Sequence, residues 1–590
     1  MILNELLKIG EVREVYGHKI KVGIYSEKNV EYLNYDGMPI KNVGIGSFII
    51  IRKGFLNIIG KVDGEFITAT PLESGYAEKG RGIARTLDVS ILGHLENEQF
   101  VFGVIELPLI GNFVYIIDEV LQKKILDHHS KFTLNLGTLI EYDNYPFKLD
   151  LQELICSHIG IFGNTGSGKS NTLAKIYTEL FEVYSNNQQF KNNSSFVFFD
   201  LNGEYRKTFP NGHYYELNSA TNEKYPLDER YLTDIEFWSV VLQASEKTQK
   251  PFINECIKNY KECKQSNDYF TTQKLSDLVL ESSKNYGEIR AFIIHIFTSL
   301  GFEDEIISFD DNISIEYKKL VSNTRGELDY ITTYIELFDN MENSVVSLRH
   351  LNDLQIFSLI VYYTYCKELI KGKISAQYII QLFNRMDKII CELGKIFEFR
   401  SDNCPNEHVV VISLFNLNAE MKKLATYIIC KDKYEKHKKH RGNDRLQSSL
   451  HLIIEEAHNI LSYGSARESE EWKSTRLETF EEIIKEGRKF GVFLTIASQR
   501  PSDISETIIS QLHNFFVHRL VNTEDLKRIY KSVAFSDSVS NNMIPILPAG
   551  GCLFSGIAAN FPLLAKIDCL DKTVAPNSDN VNLIDIWGLK

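Results

Sequence analysis

Apolar positions recur along this chain with different periods, and each period marks a different stretch. Up to about residue 145 they fall in short runs rich in Val and Ile, such as IGEVREVYG, HKIKVGIY, GSFIIIRK, LNIIGKVDG and QFVFGVIELP, punctuated by Gly, Asn and Asp. Many short strands with turn signals predict a small all-β barrel or sandwich over residues 1–145. From about 220 to 400 the spacing changes to three or four, in segments such as IEFWSVVLQASEK, KPFINECIKNYKEC, QKLSDLVLESS and SAQYIIQLFNRMDKII, and predicts helices. The stretches on either side, 146–219 and 401–572, alternate compact apolar runs with helical patterns. Ile159-Gly-Ile-Phe162, SSFVFFD, HVVVISLFNL, LHLII, VFLTIAS and NFFVHRLVN read as strands of one α/β sheet that the helical segment interrupts. GGCLFSGIAANFPLLAKID predicts a closing β-hairpin. The polar, Pro-containing tail 573–590 reads as a linker with Ile584, Ile586 and Trp587 as an anchor.

The chemistry sits where the strands end. Gly163 to Ser170, GNTGSGKS, fits the phosphate-cradling pattern G-x-x-x-x-G-K-[ST]. The run before it reads as a strand. After it, Leu173, Ile176, Tyr177, Leu180 and Val183 recur at helical spacing. Strand, glycine loop and helix together aim backbone N–H groups and a helix N-terminus at a phosphate. On this pattern Gly163, Asn164, Thr165, Gly166, Ser167, Gly168, Lys169, Ser170 and Asn171 bind the nucleotide. Lys169 reaches the outer phosphates and Ser170 ligates Mg²⁺, so ATP and Mg²⁺ are the expected ligands.

LHLIIEEAHN (450–459) carries two carboxylates at a strand tip, the pattern of a Walker B strand. Glu455 is then the metal acid and Glu456 the catalytic base. Gln499, at the tip of VFLTIASQRPSD, is the candidate sensor of the γ-phosphate. Asp200, ending SSFVFFD, has two readings: an acid at the ligand edge of the sheet, or a turn-forming acid. The basic run Lys436 to Arg441 reads as a solvated helix end, with a nucleic-acid contact as the sharper alternative. No N-K-x-D motif follows the loop, which argues against a GTPase, and a small-molecule kinase would rarely need Glu455 and Glu456 beside Gln499.

Composition narrows the picture without redirecting it. A chain of 590 residues is too long for one core. The net charge of −13 does not look like a nucleic-acid coat, although a ring or cleft can concentrate Lys and Arg locally. Nine scattered cysteines without a C-x-x-C pair predict reduced thiols and a cytoplasmic location, with no zinc site. No window of eighteen apolar residues occurs, so no membrane span is expected.

HIGIFGNTGSGKSNT, FFDLNGEY, LIIEEAHN, KEGRKFGVFLTIASQRPSDIS and PAGGCLFSG follow one another in the order found in HerA-type ATPases, and the chain resembles that HerA/FtsK branch of P-loop motors. IGEVREVYGHKIKVGI and IIGKV resemble the family's N-terminal barrel, while 220–400 is the least family-like region. The resemblance implies a RecA-like ATPase core and a homohexameric ring that threads double-stranded DNA and hydrolyses ATP to move along it. It implies that the barrel docks an effector: a NurA-like nuclease in end resection, or, in bacterial relatives, a sirtuin-like NADase or another nuclease in antiphage defence. The tail 573–590 would brace the neighbouring subunit. Glu455 stands where P-loop ATPases more usually carry Asp, and its longer side chain still reaches Mg²⁺. Arg488, in EGRKFG, matches the family's candidate for an arginine supplied across the subunit interface. The plainer reading is a helix-end arginine on a solvated face, and Arg500 is the second candidate. A scaffold that uses ATP as a regulator to assemble and activate an effector, without translocation, remains the alternative function.

Overall fold

The computed structural model describes residues 7–577 and 586–587, except 36–37, 70–82, 128–129, 143–144, 219–222, 267–273, 275–276, 279–280, 283–285, 302–312, 317–318, 323–350, 402–406, 440–445, 465–469 and 534–537. The chain divides into two compact units, Met1–Gly212 with His440–Gly464 and Phe480–Lys590, and His213–Lys439 with Ser465–Thr479.

The first unit opens with nine strands: β1 (Lys8–Tyr16), β2 (Lys19–Ile24), β3 (Tyr32–Tyr35), β4 (Met38–Lys41), β5 (Phe48–Lys53), β6 (Leu56–Ala69), β7 (Ile83–Glu96), β8 (Gln99–Phe102) and β9 (Phe113–Ile116). Strands β3 and β4 form a separate hairpin. The others run in the order β2-β1-β9-β5-β6-β7-β8, and β2 also pairs with β7. That extra pairing closes six strands into an antiparallel barrel, which leaves none of the six with an open edge. Alternate residues, among them Ile9, Val12, Val22, Ile49, Ile51, Ile58, Val62, Leu87 and Val114, fill the interior. Of the two all-β architectures compatible with the sequence, the barrel is the one adopted.

Strands β10 (Thr133–Leu139), β11 (Pro146–Asp150), β12 (Ile159–Phe162) and β13 (Ser194–Asp200) begin a second sheet. Although β10 precedes residue 145, it pairs with β11 in this sheet. The barrel rests on this region through Phe48, stacked on Tyr142 at 5.2 Å. The Tyr142 hydroxyl donates to the Gly46 carbonyl at 3.0 Å.

The second unit holds two parallel strand pairs, β14 (His213–Glu216) with β19 (Val409–Ser413) and β15 (Tyr225–Asp228) with β18 (Phe397–Arg400). Between them come the hairpin of β16 (Ile313–Glu316) and β17 (Lys319–Ser322) and the helices Gln249–Ser266, Tyr286–Ser299, Asp353–Ile370 and Ala376–Ile396. Their aromatic core includes Phe357, stacked at 4.0 Å on Trp238 of the short helix Ile235–Val241, and Tyr362 stacked on Phe383 at 4.8 Å. The expected helix over QKLSDLVLESS lies largely outside the described residues, as do His440 and Arg441 of the basic run and Ile584 of the tail.

Back in the first unit, β20 (Ser449–Ile454), β21 (Val492–Ser498), β22 (Asn514–His518), β23 (Gly551–Gly556) and β24 (Leu563–Ile567) complete its sheet in the order β11-β10-β24-β23-β22-β12-β21-β20-β13. Strands β22, β12, β21, β20 and β13 are parallel, and β23 and β24 continue antiparallel as the expected hairpin. The fold is α/β with a P-loop core and an N-terminal barrel. By order of appearance the parallel strands lie 5-1-4-3-2, so β21 separates the phosphate-loop strand from the strand of Glu455 and Glu456. Among the described residues no helix is long and apolar enough to cross a membrane.

Candidate nucleotide site

The site forms at the carboxyl ends of β12, β13, β20 and β21, where open parallel sheets bind ligands. Loop 163–168 leaves β12 and enters the helix Lys169–Val183, whose N-cap is Gly168. Gly168 has φ +112°, in the left-handed region, and a Cβ there would stand 3.1 Å from the Gly550 Cα. A Cβ on Gly163 would meet the His518 Cβ and the Ser167 hydroxyl at 2.6 Å. The loop is also held by backbone bonds. Asn164 N–H donates to Arg519 C=O at 2.9 Å, and Gly550 N–H to Ser167 C=O at 3.0 Å. Asn171, expected to bind nucleotide, commits its side chain elsewhere: it donates to Asp568 C=O (3.0 Å) and accepts from Leu570 N–H (3.2 Å).

Lys169 is buried, and its ammonium donates to Asn164 C=O at 3.3 Å. Burial lowers its pKa, while Glu456, Glu455 and Glu204 oppose that shift. The Ser170 hydroxyl donates to Glu455 Oε1 at 3.4 Å, and the Tyr205 hydroxyl donates to the same atom at 3.3 Å. Glu455 is 4% exposed, and burial and then neighbouring carboxylates hold its pKa well above the usual range. Glu456 follows at φ +42°, a left-handed conformation costly for a residue with a side chain. Burial raises its pKa, Lys169 lowers it and Glu204 raises it. His458 Nδ1 lies 3.3 Å from Glu456 Oε2 and 3.2 Å from the Ser498 hydroxyl. The Thr165 hydroxyl donates to Gln499 Oε1 at 2.8 Å, so the phosphate loop and the tip of β21 are in contact.

One set of expected site residues is thus gathered at one edge: the loop, Lys169, Ser170, Glu455, Glu456 and Gln499. Arg488 is elsewhere. It is exposed in the turn Gly487–Phe490, and its electrostatic neighbours are Cys156, His158 and His513, at the opposite ends of β12 and β22. Arg500 is exposed beside Gln499 and lies 3.9 Å from Asp503. Asp200 resolves into its turn-forming reading. It is buried, and its carboxylate accepts from Gly203, Glu204 and Tyr205 N–H.

Glu204, the acid that follows the tip of β13 in sequence, and Tyr205 reach Glu455 from the turn after that strand. Tyr205 and His518 are not legible as site residues in the sequence, and the environment of His518 reads there as plain strand interior. Its Nδ1 faces the Gly551 carbonyl at 2.9 Å and so carries the proton, which leaves Nε2 to accept from the Thr172 hydroxyl at 2.9 Å. This bond ties the helix after the loop to β22. Burial holds His518 down to about 4. The unfolded imidazole takes up a proton below about 6.5, and the folded one does not until about 4, so stability is complete above that window and falls as pH drops through it. The expected loss from this group is up to about 3 kcal/mol. Urea unfolding between pH 7.5 and 4.5 checks it: His518→Asn should flatten the acid side of the curve, and an unchanged slope would refute the assignment.

The residues present fit a divalent cation. Glu204 and Glu455 each keep a buried Oε2 without a hydrogen-bond partner, and Glu456 Oε2 meets His458 Nδ1 at 3.3 Å, around the Ser170 hydroxyl and the Lys169 ammonium. Among the described residues no three His, Cys, Asp or Glu side chains form a metal cage. Magnesium needs none when phosphates supply its other ligands.

A family model for the central domain of the helicase HerA matches residues 134–378. The DNA double-strand break repair helicase HerA of Sulfurisphaera tokodaii is 25% identical over 467 residues, 78% of this chain and 73% of that protein. The protein of the same description from Pyrococcus furiosus is 22% identical, over 90% of this chain and 88% of its own length. Among solved structures, VirB4 of Thermoanaerobacter pseudethanolicus aligns with 76% of this chain and 99% of its own, at 11% identity and a TM-score of 0.39.

Proposed function

Because this chain is a HerA-type P-loop ATPase, we propose that it works as an ATP-driven motor on double-stranded DNA, as a homohexamer paired with an effector enzyme. The observation that carries this reading is the set of buried, unpartnered carboxylate oxygens of Glu204 and Glu455 beside Lys169 and Ser170. Without a ligand such oxygens are costly to bury. Bound Mg²⁺ would supply charge neutralisation at the phosphates, with Ser170 and Glu455 as its protein side. The loop N–H groups and Lys169 bind and orient the triphosphate. Glu456 accepts the proton of the attacking water. Gln499, hydrogen-bonded to Thr165, senses whether the loop is occupied.

Arg488 completes the site from a neighbouring chain. Its place at the edge opposite its own phosphate loop supports a role in trans. The relatives described as DNA double-strand break repair helicases support DNA as the track. On the barrel, Phe55, Ile105, Leu109 and Ile110 are exposed, which supports docking of an effector, a nuclease or a sirtuin-like NADase, in end processing or bacterial antiphage defence. Ile586 and Trp587 are exposed on their own chain, which supports a tail that braces the next subunit.

The test is mass measurement of the purified protein and ATP turnover with and without duplex DNA, alone and with the product of a neighbouring gene. The expected result is a hexamer whose turnover rises about tenfold with duplex, the order of effect set by an allosteric coupling of 1–3 kcal/mol. Equal rates with and without DNA, in both preparations, would overturn the motor reading in favour of an ATP-regulated scaffold.

A further inference from the structure

The turn after β13 brings a third carboxylate into the site, and two separate devices hold it there. Asp200 accepts Gly203 N–H at 2.7 Å and the N–H groups of Glu204 and Tyr205 at 3.0 Å, which fixes the direction in which those two residues leave the turn. From the other side, the N–H of Asn577, at the start of the C-terminal tail, donates to the Glu204 carbonyl at 2.8 Å. The Glu204 carboxyl lies beside the Ser170 hydroxyl and the Glu455 carboxyl, close enough for both to act on its protonation. Asn202 donates to its Oε1 at 3.4 Å, and its Oε2 is buried with no partner. Glu455, itself 4% exposed, likewise leaves Oε2 without a partner.

Magnesium dehydrates reluctantly and keeps several waters. Those waters are donors, and unpartnered carboxylate oxygens beside the hydroxyl ligand are the acceptors they require. We propose that Glu204 is a positioning residue on the metal side of the site: with Glu455 it brackets Ser170 and accepts hydrogen bonds from the hydration shell of the divalent cation. Asp200 and Asn577 hold it in that place, so the root of the tail and the metal side of the site share one turn. The proposal rests on the nucleotide-site reading above.

The experiment is a titration of the full-length protein with Mn²⁺ in the presence of ADP, followed by the electron paramagnetic resonance signal of free Mn²⁺. Glu204→Gln keeps the size of the side chain and removes its charge. The expected result is about tenfold weaker Mn²⁺ binding, the usual scale for outer-shell partners of a metal. The melting temperature without metal should be unchanged. ATP turnover should be recovered in large part by raising Mg²⁺, so that the half-saturating Mg²⁺ concentration shifts more than kcat. Glu204→Asp, which keeps the charge but shortens the reach, should weaken binding less and guards against a folding defect in the first variant. Mn²⁺ affinity within twofold of the parent in both variants would overturn the proposal. A parent protein that binds no Mn²⁺ with ADP would instead overturn the nucleotide-site reading, and this proposal with it.

Discussion

Replacing Glu456 with Gln is expected to lower ATP turnover by about 10²–10⁴-fold, the range for loss of a positioned general base, while ATP binding stays within a few-fold of the parent. The backbone supports a chemical role for this residue. Glu456 is held at φ +42°, where a side-chain-bearing residue costs about 1–3 kcal/mol, and surrounding bonds pay for that conformation. Asn459 N–H donates back to its carbonyl at 2.8 Å, and Ala457 N–H donates to Ala497 C=O at 2.9 Å, so the turn is tied both to itself and to β21. Burial raises the Glu456 pKa above the usual carboxylate value, and Lys169 restrains the shift. Gln keeps the shape and cannot take the proton. Single-turnover hydrolysis read beside binding of a fluorescent ATP analogue separates the two effects. A variant that hydrolyses within tenfold of the parent would remove Glu456 from the base role.

Lys169→Ala is expected to lower kcat/KM by about 10³-fold or more, the scale for removing a charged clamp from a transferring phosphoryl group. The effect has two parts. The first is the lost contact with the outer phosphates. The second is that Glu204, Glu455 and Glu456 lose a buried cation that faces all three, so the loop closes on phosphates against uncompensated negative charge. Initial rates across an ATP series measure the first part, and nucleotide-binding titrations the second. Mixing this variant with Arg488→Ala extends the test to assembly. If the chains assemble with shared sites, an interface that takes its loop from the Arg488→Ala chain and its arginine from the Lys169→Ala chain is intact, so the mixture should regain activity that neither variant has alone. Absence of any recovery would count against Arg488 acting in trans.

Asp200 and Asn171 show where local pattern stops being informative. Asp200 stands at a strand tip, where ligand acids and turn-forming acids look alike in sequence. The folded turn commits its oxygens to three N–H groups, including that of Glu204. Asn171 stands inside the phosphate-loop motif, yet its side chain is bound by a segment almost four hundred residues later, at Asp568 and Leu570. β7 was not among the expected strands. Its polar positions Arg85, Asp88 and His94 break the apolar run, and it is pairing with β2, β6 and β8 that stabilises it.

By itself the sequence determined what depends on neighbouring residues. It determined the phosphate loop, because glycine spacing sets local φ, and the helix after it, because apolar residues recur every three to four positions. It also determined the paired carboxylates after an apolar strand, the α/β core and the all-β start. Tertiary structure alone decided what depends on strand order. Placing β21 between β12 and β20 set Gln499 against Thr165. The extra pairing of β2 with β7 made the first domain a barrel. The turn after β13 carried Glu204 to Ser170, and β22 carried His518 to Thr172. Arg488 lay at the far edge of its own sheet. These are contacts between segments tens to hundreds of residues apart, and their energies come from burial and hydrogen bonding that no local window contains.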